Sequence, residues 1–156
     1  MSHTPLENSE PINGVHLEGK VTIHCPVEKV YAYWRDFKNL PTFMDLLVSV
    51  EEKEAGVWNW VIKGPLDVRL AWDSVILDEK VNELITWKTV GKADVKSAGT
   101  VRFTSLDEGK QTEVKLTTSY DPPGGPLGPV IAALLMSAPE DRLKEDLMRL
   151  KRLMEE

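Results

Sequence analysis

The sequence predicts an α+β domain in which a curved antiparallel sheet of six to seven strands wraps one long C-terminal helix. Three observations predict it. Apolar and polar residues alternate in six or seven separate runs, the mark of half-buried strands. Apolar residues recur at helical spacing in "CPVEKVYAYWRDFKNLPTFM" after the first of those runs. Leu143, Leu147, Leu150 and Met154 then fall at i, i+4, i+7 and i+11, an apolar stripe on an otherwise charged segment.

The elements follow in order. Residues 1–13 are expected to be a flexible N-terminal tail and residues 14–156 the domain. In the first strand Val15, Leu17, Gly19, Val21 and Ile23 share one face, and His16, Glu18, Lys20, Thr22 and His24 the other. Pro26 opens a helix whose apolar face is Val27, Val30, Tyr31, Trp34 and Phe37, with Glu28 in the first turn where the dipole favours an acid. A short second helix or turn is expected around Leu40 to Met44, broken by Pro41. "LLVSVEEKEAG" and "VWNWVIKGP" read as a hairpin. "LDVRLAWDSVILD", "ELITWKTV" and "DVKSAGTVRFTSLDEGKQTEVKLTTSY" supply four more strands, with Asp107 to Lys110 as a turn.

The prolines and glycines of "YDPPGGPLGPVIAALLMSAPEDRL" read as a hinge between sheet and helix. Pro122 ends the last strand by holding Asp121 extended, and Gly124 and Gly125 let the chain turn. A first helical segment is expected over Pro129 to Met136. Ser137 and Glu140 form a capping box that starts the long helix, from about Ala138 to Glu155.

At 156 residues the chain is one domain, long enough to remove roughly 70% of its unfolded surface from water. The net charge of -6, with Lys and Arg dispersed, argues against nucleic acid as a partner. No run reaches the roughly 20 apolar residues of a membrane span, and the polar N-terminus lacks the core of a signal peptide, so the expected location is cytoplasmic. Oligomeric state is not encoded in any feature of the pattern. Cys25 is the single cysteine and has no basic cluster beside it, so a structural thiol is expected. His3, His16 and His24 do not form a metal-binding pattern, and neither a metal nor a cofactor is expected. No nucleophile elbow or phosphate-binding glycine loop is present.

The segments "CPVEKVYAYWRDFKNLPTFM", "WVIKGPL", "WDSVILDEKVNELITWKTV", "SAGTVRF" and "YDPPGGPLG", in that order, resemble the polyketide cyclase/dehydrase branch of the START-like (SRPBCC) superfamily. The resemblance covers about residues 15 to 156. It implies a helix-grip fold and a pocket for apolar or aromatic molecules between sheet and helix. Relatives include cyclases, dehydrases, and carriers of lipids or quinones, so the resemblance leaves the chemistry open. Val75 stands where that family commonly carries an acidic residue, which removes one carboxylate from consideration.

Five tryptophans are many for this length. On the alternation above, several share the concave face, where they serve either as core or as the wall of a cavity. The expected ligand-binding set is Trp60, Trp72, Ser74, Trp87, Thr89, Phe103, Thr118 and Tyr120 from the sheet, with Ile131, Leu134 and Leu135 from the segment before the long helix. Leu127 to Met136 is read either as a gate to that cavity or as a rigid first turn. Tyr120 is the best inward titratable candidate, acting either as a proton-transfer residue or as a loop anchor. Three functions fit: binding of an apolar lipid, quinone or polyketide-like molecule, a cyclase/dehydrase-type enzyme, or an interaction module whose cavity is filled by its own side chains.

Overall fold

The computed structural model describes residues 15–64, 67–91, 93, 95–121, 129 and 139–156. The expected tail at residues 1–13 and the gate segment at 127–136, Pro129 apart, lie outside the described residues. The strands are β1 (Val15–Ile23), β2 (Leu47–Glu54), β3 (Val57–Lys63), β4 (Arg69–Lys80), β5 (Leu84–Val90), β6 (Lys96–Leu106) and β7 (Gln111–Asp121). They form one antiparallel sheet in the order β1-β7-β6-β5-β4-β3-β2. Helix α1 (Val27–Arg35), a 3-10 turn (Phe37–Thr42), a second short 3-10 turn (Asp107–Gly109) between β6 and β7, and the long helix α2 (Pro139–Glu155) join them.

Strand register follows the alternation of the side chains. Trp60 lies opposite Trp72, Trp87 opposite Gly99, and Thr118 opposite Leu17, so the apolar sets of neighbouring strands fall on one face. The β6–β7 turn puts Asp107, Glu108 and Gly109 at φ of 50°, 53° and 89°. Pro41 sits inside the 3-10 turn and does not break it. The turn lies where the chain must bend sharply from α1 toward β2, and Leu40 on it is fully buried.

Helix α1 starts at Pro26, which is extended (φ -62°, ψ 147°) and serves as its N-cap. Its buried face is Val27, Val30, Tyr31 and Trp34, and it covers the part of the sheet that carries Phe103. Helix α2 buries Leu143, Leu147 and Leu150. It approaches β1 closely at Gly19, where an added Cβ would lie 3.1 Å from Leu143 Cδ2 and 3.2 Å from Leu147 Cδ1. Polar contacts fix its position along the sheet. Lys151 Nζ donates to the Thr22 carbonyl (2.9 Å), Glu155 accepts from the His24 backbone N–H (2.8 Å), and Arg149 Nη1 donates to the Phe43 carbonyl (2.6 Å).

Strand β4 holds one irregularity. Its pairing with β5 shifts between Ile76 and Asp78, so Leu77 is an extra residue. A single-residue bulge reverses which face each later side chain takes. Glu79 therefore sits opposite inward-facing Ile85 and meets α1. Its carboxylate accepts hydrogen bonds from the Tyr31 hydroxyl and from Arg35 Nε, the latter at 2.6 Å.

Candidate functional site

The core is solid beneath α1 and the 3-10 turn, where Trp34, Phe37, Leu40 and Phe43 are 0–1% exposed. Toward the other end, between the sheet and the first turns of α2, the described side chains do not fill the space. A cavity of about 80 Å³ remains there. This is several times the space one water molecule needs.

Its floor is the sheet. Trp60, Ile62, Trp72 and Trp87 come from β3, β4 and β5, while Ser97, Leu116, Thr118 and Tyr120 come from β6 and β7, with Leu17 from β1. Met44, Leu46 and Leu47 form the side next to the 3-10 turn, and Pro139, Arg142, Leu143 and Asp146 of α2 form the roof. Period two delivers the floor residues because alternate residues of each strand face α2. The roof residues lie three or four apart and so share one side of that helix.

The aromatic rings are ordered relative to one another. Trp60 stacks on Trp72 with centroids 6.0 Å apart and on Trp87 at 6.2 Å, with 23° between the planes in both pairs. Phe37 meets Trp58, Trp60 and Trp87 in steeply inclined, edge-to-face geometry at 5.1, 5.9 and 6.5 Å between centroids, and so packs against the stack. Trp87 in turn fits against Gly99, where no side chain competes for the space.

Five of the residues expected from the sequence line the cavity: Trp60, Trp72, Trp87, Thr118 and Tyr120. Ser74, Thr89 and Phe103 face inward but lie away from it. Phe103 is covered by α1, edge-on to Tyr31 (5.3 Å) and Trp34 (6.2 Å). Thr89 Oγ1 donates to the Ser97 carbonyl (3.0 Å) and accepts from the Ser97 N–H (2.9 Å), which holds β5 to β6 beyond their ladder. Ser74 is fully buried opposite Trp58. Ile131, Leu134 and Leu135 lie outside the described residues.

Sequence reasoning missed the polar end of the cavity. Asp146 projects from α2 one residue before Leu147, and its Oδ1 accepts hydrogen bonds from Arg149 Nη1 (2.9 Å) and the Asp45 N–H (3.2 Å). Burial pushes its carboxyl above the ordinary carboxylate range despite those two donors, and the nearby Asp45 carboxylate adds to the rise. Burial likewise pushes the Tyr120 hydroxyl up; the Asp146 charge adds to this, while Thr118 and the Arg142 guanidinium oppose it. The cavity thus joins an aromatic floor to one end where a phenol and a carboxyl both favour their protonated forms.

Cys25 lies outside this site. Burial raises its thiol, so it is not poised as a nucleophile. Val75 is on the opposite face of β4 from Trp72 and Ser74, and its side chain does not face the cavity. Among the described residues no three His, Cys, Asp or Glu side chains are grouped to hold a metal ion. No described helix is long and apolar enough to cross a membrane.

The sequence matches the family model described as polyketide cyclase/dehydrase and lipid transport over residues 14–155. The chain belongs to that family. Its fold is shared with solved structures, among them a protein from Deinococcus radiodurans that is 28% identical, with a TM-score of 0.74 and coverage of 90% of this chain and 97% of that one. An aromatase/cyclase from Streptomyces sp. R1128 is 20% identical, with a TM-score of 0.70 over 90% of this chain and 93% of its own. A START superfamily protein from Mycobacterium smegmatis is 11% identical, with a TM-score of 0.66 over 90% and 97%. These likenesses establish the helix-grip fold. Among curated proteins no sequence matches this chain.

Proposed function

We propose that this family member binds an apolar, ring-containing small molecule in the cavity between the tryptophan floor and α2. The observation that carries the reading is the stack of Trp60 with Trp72 and Trp87 beside unfilled space. Flat rings in near-parallel array offer a face to a flat ligand, and offset stacking adds to the area removed from water. The remaining lining is apolar with a few hydroxyls, as in small-molecule pockets generally. Calorimetric titration with a fatty acid, a quinone and an aromatic polyketide tests it. Saturable one-to-one binding of a ring compound, lost when Leu46→Trp fills the side of the cavity, is the expected result. Failure of all three to bind would favour a protein that uses this surface for contacts of another kind.

A cyclase/dehydrase reading has an observation of its own. Tyr120 and Asp146 lie on the same cavity: the raised carboxyl is placed to donate a proton, and the phenol, held protonated, to hydrogen-bond an oxygen of a bound chain. The solved structure of the same fold that is described as an aromatase/cyclase supports the same reading. In this case Tyr120→Phe abolishes turnover of a poly-β-ketone substrate and leaves its binding within about threefold, since only one hydrogen bond is removed.

A further inference from the structure

On the outer face of the sheet, away from the cavity, three cations stand side by side. Arg102 on β6 lies directly opposite Lys115 on β7, and Lys115 directly opposite Lys20 on β1. Each is exposed and flanked along its strand by buried inward residues, Val101 and Phe103, Val114 and Leu116, or Val21, so the three side chains leave the same face. Directly opposed residues hold their Cβ atoms about 4.5–5.5 Å apart, and like charges at that separation are destabilising. The row ends on β5 at Leu84, which is buried.

Elsewhere on this face exposed lysines have carboxylates of their own: Lys53 Nζ lies 2.9 Å from Asp73 and Lys63 Nζ 2.8 Å from Asp67. In the row, Lys115 Nζ lies 2.7 Å from Glu18 Oε1, and Lys20 acts on that same carboxylate. Arg102 has no ion pair among the described residues. The row therefore holds more positive charge than its neighbours neutralise. Glu18 faces Thr117 in the row on one side, and Glu113 stands between Thr104 and Thr22 in the row on the other. Rows on one face repeat about every 6.5 Å along the strands, so the cationic strip is one row wide with a carboxylate on either side. A broad anionic surface laid on it meets both signs, whereas a single line of carboxylates meets the cations.

We infer that the row of Arg102, Lys115 and Lys20 docks an acidic helix of a partner protein, laid across β6, β7 and β1 with carboxylates at i, i+4 and i+7. The spacing carries the choice of occupant. Neighbouring strands lie about 4.8 Å apart, so the row spans about 9–10 Å. Seven residues of helix rise about 10.5 Å, and acids three or four apart on one side of it are about 5–6 Å from each other. One carboxylate then falls on each cation, and the repulsion within the row is relieved on docking. The surface is on the reverse of the sheet from the cavity, so the inference is independent of what the cavity binds.

Two alanine- and glutamine-based helical peptides of about 18 residues and identical composition make the test. One carries glutamates at i, i+4 and i+7, on one side of the helix; the other carries them at i, i+2 and i+5, spread around it. Two-dimensional NMR of the isotope-labelled full chain in about 20 mM salt follows each titration. The first peptide is expected to shift the amide resonances of Arg102, Lys115 and Lys20, to bind at least about fivefold more tightly than the second, and to weaken as salt is raised to about 0.15 M. Arg102→Glu is expected to weaken it at least about fivefold while leaving the thermal midpoint unchanged or raised, since one like-charge contact is lost. Lys53→Glu, away from the row, is expected to change it by less than about twofold. Equal binding of the two peptides, binding of neither, shifts confined to other parts of the surface, or no loss in Arg102→Glu overturns the inference. Co-sedimentation with phosphatidylcholine vesicles containing about 30% phosphatidylserine is expected to capture no protein. Capture that is lost in Arg102→Glu would assign the row to a membrane surface and overturn the inference as well.

Discussion

The Trp87 indole presses against the backbone of Gly99 on the neighbouring strand, so closely that a Cβ on Gly99 would lie 2.4 Å from Cζ2 of the ring. No side chain fits there without moving the indole. Gly99→Ala is therefore expected to lower stability by about 1–3 kcal/mol through overpacking, read as a shift in the urea midpoint. Because Trp87 also stacks on Trp60, ring ligands should bind more weakly as well. An unchanged midpoint would mean that the ring does not occupy this position.

Leu147 is 1% exposed and packs α2 onto β1 at Gly19. Leu147→Ala is expected to cost about 2–5 kcal/mol by urea denaturation. Gly19→Ala should cost far less than Gly19→Val, because the atoms met by a new Cβ are the flexible ends of Leu143 and Leu147. Equal costs for the two Gly19 variants would contradict the close approach.

Glu79 joins β4 to α1 through Tyr31 and Arg35. Burial alone would raise its carboxyl, but the Tyr31 hydroxyl and the Arg35 guanidinium outweigh it, and the group ends below the ordinary carboxylate range. A lowered folded value means that this stabilisation is present at neutral pH and is lost as the pH falls through the acid range. Tyr31→Phe is expected to cost about 1–2 kcal/mol at pH 7, less at low pH, as a hydrogen bond to a charged group is removed. A loss that is the same at both pH values would rule out the ionic clasp.

Asp146 has the opposite sign. Its carboxyl is raised by burial, so the folded state favours the protonated form, and its contribution is present at low pH and lost as the pH rises through the raised value. Asp146→Asn keeps an acceptor for Asp45 and Arg149 while removing the charge. It is expected to be more favourable for stability at pH 7 than at pH 4, because the wild type holds a buried charge there that the variant lacks. Thermal unfolding at the two pH values measures it, and a variant less stable at pH 7 than at pH 4 relative to wild type would show that the ionised carboxylate is the preferred form.

Much of this architecture was legible in the sequence. Alternation placed Trp60, Trp72, Trp87, Thr118 and Tyr120 on the inward face, and the Leu143, Leu147 and Leu150 stripe placed α2 over it. Period two reports the face of a sheet but not what covers each part of it. Phe103, Ser74 and Thr89 share the face with the tryptophans, yet α1 and local pairing close off their surroundings. The role of Glu79 was hidden because one extra residue at Leu77 reverses the alternation, and no residue type announces a bulge there. Asp146 was missed because a search for apolar spacing passes over the polar residue next to the stripe. The signal was present in its position, three residues after Leu143 on the same side of the helix.

The most direct test of the ligand site uses the indole N–H resonances of the five tryptophans, followed by two-dimensional NMR as anthraquinone or anthracene is added. Ring currents from a flat ligand in the cavity should shift the resonances of Trp60, Trp72 and Trp87, saturating at one ligand per protein. Those of Trp34 and Trp58, which do not line the cavity, should move little. Shifts confined to Trp34 and Trp58, or no saturable shift in any of the five with either compound, would contradict a ring-binding site between the sheet and α2.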